Sequence, residues 1–363
     1  MAKNFSVLFV ADTSSKDDCS AVRRLLELKE GLEYFGVQTG ILYLGDYFIR
    51  APKLLFPINI PRFLKLIRKY EIIHAPAGVS AYVMGIAKNL CNFTLVCDVQ
   101  GNFDESIIIK RNDLLDYYHI ILSMITQSIT LKRSDFFITC SHWLENDLVK
   151  RGLAKNRIAT IRNGVNTELF KPSNQKLSTS TFTITYAGAF QKWQGIDNFL
   201  EAAEILKNTD IKFKIIGFKN TDFALKEKIG RSLRNKVELV NFLPQGELIY
   251  HLQNSNVLII PRDRNLVTVP AFPTKFAEYA AVGKPVIITD VDETSDLVKK
   301  YDCGFVCKPD VGSIVKAIKE AYETSSLRLT QMGQNGRFLA KTELDRKVIS
   351  KTYFQFLSRL ACA

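Results

Sequence analysis

The chain has 363 residues, of which 47% are hydrophobic, so it can form two domain cores of ordinary size. Its formal net charge of +12 indicates an anionic partner, and charge alone leaves nucleic acid, acidic lipid and a phosphorylated small molecule open. We predict a cytoplasmic protein, because no stretch resembles a secretory signal or reaches the roughly 20 apolar residues of a membrane span, and because the seven cysteines lack metal-binding spacing.

The first half of the chain alternates apolar strands with helical segments. A strand is predicted at Phe5–Val10, a helix at Ala21–Tyr34 and a second strand at Thr39–Leu44. The alternation continues with helices at Leu114–Leu131 and His142–Lys150 and with strands at Ile72–Ile73, Thr94–Asp98, Phe136–Thr139 and Ile158–Ile161. This order is typical of a doubly wound parallel sheet.

A second α/β region follows a predicted linker. Residues 173–182 are polar and rich in Ser and Thr, as expected of a connection between domains. Beyond them the alternation restarts, with a helix at Ile196–Leu206 and strands at Ile184–Gly188, Lys212–Gly217, Glu238–Phe242, Val257–Ile260 and Val286–Thr289. The last helical segment, Val348–Leu360, is amphipathic. The pattern predicts domains at 1–172 and 173–345.

The most informative motif runs from Pro273 to Thr289. A helix is predicted at Lys275–Val282, a stop at Gly283–Pro285, and then a buried strand. This order places the carboxylate of Glu278 at the head of the helix. A carboxylate held there can accept hydrogen bonds from two ribose hydroxyls.

A second motif runs from Tyr186 to Asp197. A strand is predicted to end at Gly188, and a loop leads through Gly195 to a helix that begins at Ile196. A helix start after a glycine-bearing loop presents free N–H groups to an anion, and Lys192 adds a positive charge. The alternative is an ordinary turn between a strand and a helix.

Two further segments complete a resemblance. Residues 134–141 contain a strand that follows Ser134-Asp135, and Arg162–Pro172 contains an Asn-Gly turn. In this order, the four motifs resemble those of retaining GT-B glycosyltransferases of family four, the glycosyl transferases group 1. The resemblance implies an α/β GT-B fold, in which two Rossmann-like doubly wound domains face a central crevice. It also implies that a tail of about 346–363 packs back on the first domain.

The resemblance implies a function as well. The enzyme would move a sugar from a nucleotide-sugar donor to an acceptor with retention of configuration, without a metal or other cofactor, in cell-surface polysaccharide or glycolipid synthesis. The second domain would bind the donor and the first domain the acceptor. By resemblance, Glu278 would hold the ribose, cations would oppose the phosphates and the backbone near 242–243 would line the base pocket. The donor-binding candidates are Gly188, Lys192, Gln194, Phe242, Leu243, Arg262, Thr274, Lys275 and Glu278.

The chain departs from the family pattern at four positions. Ala189 and Gln194 stand where the family has Arg and Lys, Pro270 replaces a Glu, and Gln100 stands where a His is common. If phosphate binds here, its charge must therefore be met by Lys192, Arg262, Arg264 or Lys275. A non-catalytic GT-B-like subunit that binds a nucleotide sugar or a partner enzyme remains the alternative.

The catalytic candidates lie after the strand at Thr94–Asp98. Asp98-Val-Gln-Gly101 followed by Glu105 resembles one family branch, which makes Asp98, Gln100 and Glu105 the candidates. The alternative for Asp98 and Glu105 is ordinary loop-end polarity. Ser20 and His74 are predicted to lie on the acceptor side, with a structural role as the alternative for His74.

A basic segment, Phe48–Tyr70, offers two interpretations. From Pro61 onward, Phe63, Leu66 and Ile67 share one helical face. The cations of this segment that could meet acidic headgroups are Arg62, Lys65, Arg68 and Lys69. The helix is either packed on the sheet with solvated cations or bound at the inner face of an anionic membrane, where the acceptor would be lipid-linked. Nucleic acid is disfavoured because the lysines are dispersed.

Overall fold

The computed structural model describes residues 5–13, 20–51, 54–57, 60–101, 114–173, 181–218, 227–230 and 232–362. The chain forms two compact units. The first comprises Met1–Arg162 and Arg346–Ala363, and the second comprises Asn163–Asp345.

The division between the units lies ten residues before the predicted one at Pro172, because the intervening segment is bound to the second unit. The Asn163 side chain donates to the carbonyl of Phe272 at 2.7 Å. The Arg337 guanidinium donates to the carbonyls of Phe170 at 2.7 Å and Thr167 at 2.8 Å. The predicted linker at 173–182 falls largely outside the described residues.

The first unit is built on a parallel sheet in the order β2-β1-β5-β6-β7-β8. Its strands are β1 (Ser6–Ala11), β2 (Gln38–Tyr43), β5 (Ile72–Pro76), β6 (Thr94–Val99), β7 (Phe136–Thr139) and β8 (Ile158–Thr160). Every residue of β1 is buried, which explains its continuous apolar sequence, since helices cover both faces of such a sheet. An antiparallel hairpin of β3 (Phe48–Ala51) and β4 (Leu54–Pro57) was not predicted.

Helices surround this sheet. They are α1 (Ser20–Tyr34), α2 (Ile60–Ile67), α3 (Val79–Ala87), α4 (Leu114–Arg133), α5 (His142–Lys150) and α12 (Arg346–Cys362). The predicted N-terminus of α5 is correct, since the Ser141 hydroxyl caps it by accepting from the Leu144 amide at 3.3 Å. Tyr353 and Leu357 of α12 are fully buried and share a core cluster with Phe9 and Leu25.

The second unit has its own parallel sheet, in the order β11-β10-β9-β12-β13-β14. Its strands are β9 (Phe182–Ala187), β10 (Ile211–Phe218), β11 (Val237–Asn241), β12 (Val257–Ile260), β13 (Val286–Thr289) and β14 (Gly304–Cys307). Its helices are α6 (Ile196–Ile205), α7 (Gln245–Gln253), α8 (Thr274–Ala281), α9 (Thr294–Tyr301), α10 (Val311–Glu323) and α11 (Ser326–Leu339), and a π-helical turn, Ala340–Leu344, precedes α12. The prediction of two doubly wound α/β sheets is confirmed.

Candidate active site

The sheet of the second unit has a topological switch point beside β9. β9 lies between β10 and β12, and the chain passes from β9 to β10 on one side before it returns to β12 on the other. In open parallel sheets, ligands bind outside the carboxyl ends of the strands at such a point. The loops that follow β9 and β12 begin at these ends, and both carry predicted donor-binding residues.

Two glycines allow these loops to approach each other. Gly195 has a φ of 71°, and a Cβ on it would lie 1.7 Å from the carbonyl oxygen of Pro261. Gly188 has a φ of 144°, and a Cβ on it would lie 2.8 Å from the Nζ atom of Lys275. Both positions therefore require glycine. Gly195 also caps α6, which begins at Ile196 as predicted.

Lys275 is the cationic side chain that lies against Gly188. Its Nζ atom donates to the Gln194 side-chain oxygen at 2.9 Å and to the Tyr186 hydroxyl at 3.0 Å. Gln194 is the neutral residue at the family's Lys position. Its side-chain oxygen thus accepts a hydrogen bond from a lysine of α8. Burial, together with the positive charge of Arg262, lowers the pKa of the Lys275 ammonium to about 7, and Glu278 opposes this shift.

Arg262 lies in the same loop system but is already paired. It is only 5% exposed, and its Nη1 atom donates to Asp292 Oδ2 at 2.6 Å. Burial raises the pKa of the Asp292 carboxyl, against the lowering effect of Arg262 and Thr294. The Arg262 guanidinium is therefore buried in an ion pair.

Glu278 does not lie at the head of its helix, and this prediction is wrong. α8 begins at Thr274, so Glu278 is in the second turn of the helix. The early start follows from Pro273, whose carbonyl accepts from the Phe276 amide at 3.0 Å. Glu278 is half-buried and lies three residues after Lys275, on the same side of α8. The carboxylate and the ammonium are therefore neighbours in one site.

Sequence reasoning missed two tyrosines that build this site. The Tyr279 hydroxyl accepts from the Ala187 amide at 2.8 Å and lies 3.2 Å from the Ala187 carbonyl oxygen, which fixes the end of β9 against α8. The Tyr186 hydroxyl donates to the Ala189 carbonyl at 2.7 Å, and its ring lies 4.2 Å from Lys275 Nζ. Tyrosine at the buried end of a predicted strand was the available signal, because its hydroxyl needs a partner there.

The start of α6 is more acidic than expected of a simple phosphate site. Asp197 lies in its first turn, and Asp263, from the loop after β12, accepts from the Asn198 side chain at 2.9 Å. Burial and Asp197 raise the pKa of Asp263, and Lys192 opposes this rise. Lys192 is exposed and lies in the single helical turn Lys192–Gln194 before Gly195. Its positive charge acts on the Asp263 carboxylate, whereas Asp197 is paired with Lys228 at 2.6 Å.

The remaining predicted donor contacts lie at the same edge of the sheet. Phe242 and Leu243 directly follow β11, and Phe242 is 75% exposed. Thr274 is exposed at the start of α8. Parallel strands end at one edge, so the backbone after β11 and the Gly188 loop both open from it.

In the first unit, the predicted catalytic residue Asp98 lies buried in an ion pair with Arg24. Asp98 is 1% exposed, and both of its carboxylate oxygens are bound by Arg24, from Nε to Oδ2 at 2.9 Å and from Nη2 to Oδ1 at 3.3 Å. Burial alone raises the pKa of this carboxyl, but Arg24 and His74 outweigh it and hold the pKa well below its usual range. Gln100 is half-buried and donates to Asp98 Oδ2 at 3.0 Å. Glu105 lies outside the described residues.

His74, which was predicted to lie on the acceptor side, is part of the buried core of the first unit. His74 is fully buried, with Nδ1 2.8 Å from the Tyr353 hydroxyl and Nε2 3.5 Å from Asp98 Oδ2. Its ring packs against Phe9, with centroids 4.9 Å apart. The strand β5 continues to Pro76, so His74 lies inside the strand with its side chain in the core, as the structural alternative expects. Ser20 begins α1.

The apolar face of the basic helix α2 faces the protein interior, whereas the membrane prediction required it to face outward. Phe63 and Ile67 are buried in the protein, so they cannot enter a bilayer. The cations Arg62, Lys65, Arg68 and Lys69 are all exposed. The helix therefore packs on its own unit by its apolar face and presents its charged face to solvent.

The described residues contain neither a candidate membrane span nor a candidate metal site. No helix within the described ranges has the length and apolar character needed to span a membrane. Where side chains are described, no three His, Cys, Asp or Glu residues are grouped so that they could hold a metal ion.

Two family models together match residues 5–338. Residues 167–338 match the model described as Glycosyl transferases group 1, and residues 5–169 match Glycosyltransferase Family 4. The chain is 27% identical over 227 residues to the capsular polysaccharide biosynthesis glycosyltransferase CapM of Staphylococcus aureus, which covers 58% of each protein. The chain spans less than three fifths of the length of the curated relatives it matches.

Solved structures share the fold across both units. A glycosyltransferase from Rickettsia africae superimposes with a TM-score of 0.79 at 17% identity, covering 99% of each chain. Anabaena Alr3699/HepE, solved in complex with UDP-glucose, superimposes with a TM-score of 0.74 at 17% identity, covering 99% of this chain and all of that one. Similarity at this level of identity concerns the fold alone.

Proposed function

Because this chain belongs to the glycosyl transferases group 1, with the GT-B fold, we propose that it transfers a sugar from a nucleotide-sugar donor to an acceptor in capsular or other cell-surface polysaccharide synthesis. The donor class is supported by HepE, which has the same fold and was solved with UDP-glucose. The pathway is supported by the similarity to CapM.

The observation that carries this proposal is the contact of Lys275 with Gln194 at the Gly188 loop. A diphosphate brings two anionic groups, and it needs backbone that can come close and a cation that can approach it. Gly188 has no side chain to obstruct the approach, and the Lys275 ammonium lies within van der Waals reach of the position of its missing Cβ. Ala189 and Gln194 stand where the family has Arg and Lys, and Lys275 of α8 thus supplies a positive charge in their place.

In the proposed reaction, the protein binds the donor along the carboxyl edge of the second sheet. Lys275 and Lys192 oppose the charge that develops on the leaving diphosphate, and the field of Arg262 adds to them. The Glu278 carboxylate accepts hydrogen bonds from the ribose hydroxyls. The backbone at Phe242 and Leu243 lines the base. Retention of configuration and independence of metal are part of the proposal and rest on the family.

The acceptor belongs to the first unit in this proposal. Asp98 and His74 are buried, whereas Gln100 is half-buried and keeps part of its surface exposed. Its amide already donates to Asp98, so its carbonyl oxygen is the atom that can accept from a sugar hydroxyl. We propose a lipid-linked acceptor, which would bring the enzyme to the inner face of the membrane.

A second candidate is a non-catalytic subunit that binds a nucleotide sugar. It is favoured by one observation, the ion pair of Asp98 with Arg24, which engages one of the two carboxylates assigned to catalysis. Both candidates require donor binding, and they differ in turnover.

Turnover of the purified protein separates the two. The chain is incubated with a panel of nucleotide sugars, and release of the nucleoside diphosphate is measured with and without membrane extract as the source of acceptor. Acceptor-dependent release that is lost in Lys275→Met and kept in Lys308→Met, a substitution of an exposed lysine in the second unit, supports the transferase. Donor binding by calorimetry without release of the nucleoside diphosphate supports the binding subunit. If no donor of the panel binds, both candidates are refuted.

A further inference from the structure

The amino edge of the second sheet carries a cavity of its own. The cavity has a volume of about 600 Å³, a size typical of pockets for small molecules. Its walls come from the amino ends of four neighbouring strands, β11, β10, β9 and β12, and from the end of α10. β9 spans six residues, and a strand rises about 3.3 Å per residue, so the cavity lies about 20 Å from the Gly188 loop. It is therefore separate from the donor site.

Three side chains in this cavity keep unused hydrogen-bond donors. The Nζ atoms of Lys212 and Lys236 each donate to a main-chain carbonyl that precedes the adjacent strand. Within the described residues neither lysine makes an ion pair, and an ammonium has three N–H groups, so two remain on each. The Oδ1 atom of Asn256 accepts from the Thr183 amide at 2.8 Å, and no hydrogen bond among the described residues uses its Nδ2 amide.

An acceptor and an aromatic surface complete the lining. Asp210 is exposed, and in the part of the chain that the structure describes its carboxylate takes part in no hydrogen bond or ion pair. The Tyr322 ring packs against Phe182 at an interplanar angle of 86°, with centroids 5.3 Å apart, and Tyr322 is 40% exposed. We define the amino-edge cavity as the space lined by Phe182, Asp210, Lys212, Lys236, Asn256 and Tyr322.

We propose that the amino-edge cavity binds a saccharide that carries one acidic group. A sugar ring offers hydroxyl groups to a carboxylate and to amide donors, and its C–H face packs on an aromatic ring. The two ammonium groups outnumber the single carboxylate of Asp210, so a carboxylated or phosphorylated sugar is favoured over a neutral one. A nucleoside diphosphate is a poorer fit, because its second phosphate would bring further negative charge beside Asp210.

This site goes beyond donor binding. In an enzyme of polysaccharide synthesis, the amino-edge cavity would hold an acidic segment of the glycan away from the carboxyl edge, and this role rests on the proposed function. Saccharide binding is measured without donor or acceptor, and donor binding is measured without the saccharide. Failure of one is therefore distinguishable from failure of the other.

Calorimetry with defined saccharides tests the ligand class. The probes are the disaccharide of glucuronate and N-acetylglucosamine, glucose 6-phosphate, and the neutral disaccharide N-acetyllactosamine. At least one acidic probe is expected to bind about tenfold more tightly than N-acetyllactosamine, since a hydrogen bond to a charged group contributes more than a neutral one. The two acidic probes distinguish a carboxylate from a phosphate as the group that the lysines bind.

Substitution of the lysines locates the binding. Lys212→Gln with Lys236→Gln is expected to lower the affinity for the acidic probe by about tenfold or more, because both ammonium groups are lost. The matched control, Lys308→Gln with Lys341→Gln, removes the same charge from exposed positions of the second unit and leaves the affinity unchanged.

Two further variants test the cavity without the loss of a lysine. Asn256→Asp keeps an acceptor for the Thr183 amide but removes the Nδ2 donors and adds a negative charge, so it should lower the affinity about tenfold. It replaces the lysine variant if that variant does not fold, as judged by circular dichroism. Tyr322→Ala should lower the affinity about threefold to tenfold, whereas Tyr250→Ala, at a 62% exposed position of α7, leaves it unchanged.

Three results overturn the inference. They are the absence of binding by both acidic probes, equal affinity for N-acetyllactosamine, and equal losses in the cavity and control variants. Binding that is lost in Lys275→Met and kept in Lys212→Gln with Lys236→Gln would assign the saccharide to the carboxyl edge instead.

Discussion

The affinity for a nucleotide sugar should fall as the pH rises above 7, because Lys275 loses its proton in that range. Its pKa is lowered to about 7, so the free protein carries mainly the ammonium at pH 6 and mainly the neutral amine at pH 8. A bound diphosphate favours the ammonium and raises its pKa, so binding takes up a proton where the free amine is neutral. Affinity is therefore highest below pH 7 and declines above it.

The size of the effect follows from the contact that is lost. A hydrogen bond to a charged group contributes about 1.5–3 kcal/mol, which corresponds to about a tenfold to hundredfold difference in affinity between the acidic and alkaline limits. With a single linked proton, the decline cannot exceed about tenfold per pH unit. The change should thus be complete within one to two pH units above 7.

Calorimetry between pH 6 and 9 measures this directly. A nucleoside diphosphate sugar is the suitable ligand because each of its phosphates has one ester and one anhydride bond, so its charge stays constant in this range. A free nucleoside diphosphate titrates near neutrality and would imitate the effect. Pairs of buffers with different heats of ionisation report the number of protons taken up, which should be about 0.4 at pH 8 for a tenfold effect and about 0.8 for a hundredfold effect.

Two variants control the assignment to Lys275. Lys275→Met should bind weakly with a flat pH profile, because no amine titrates. Lys275→Arg should bind with a flat profile at all these pH values, because a guanidinium stays protonated. If the wild-type profile is flat, or if Lys275→Met keeps the wild-type slope, the reasoning is refuted and the proton belongs to another group.

Three further predictions concern other residues. Glu278→Ala should weaken nucleotide-sugar binding by about 1–3 kcal/mol, and unchanged affinity in calorimetry would remove the ribose contact from the proposal. Lys192→Ala should weaken a diphosphate-bearing donor more than the free nucleoside, since only the donor presents phosphate to the loop before Gly195; equal losses place Lys192 outside the phosphate site. Leu357→Ala should lower the free energy of unfolding by about 2–5 kcal/mol, measured by urea denaturation, because Leu357 is fully buried; a loss below 1 kcal/mol would contradict its place in the core.

The predicted elements agree with the structure where the sequence is apolar and continuous. β1 differs by one residue at each end, and the helix at His142–Lys150 is correct at both ends. Strands of a parallel sheet are covered on both faces, so a buried run is visible without its partners. The hairpin of β3 and β4 was missed because Phe48–Pro57 mixes apolar residues with cations and prolines, without a clear period.

The polar contacts were the part that sequence could not supply. Asp98 looks like a loop-end carboxylate, and its partner Arg24 lies 74 positions away on α1. Lys275 and Gln194 are 81 positions apart, so their hydrogen bond depends on the packing of α8 against the β9 loop. The motif identified Glu278 correctly as part of α8, but one earlier helical residue changed the turn on which it lies.

The path of the chain imposes an order of assembly during synthesis. The first unit is interrupted after Arg162 and resumes only at Arg346, and α12 supplies Tyr353, Phe356 and Leu357 to its core. A ribosome therefore delivers every residue of the second unit before the first unit can be completed. The second unit is continuous in sequence and can fold first, while the first waits with an uncovered sheet face beside α1. A protein made in this order exposes apolar surface longest in its N-terminal half, where a chaperone would bind the nascent chain.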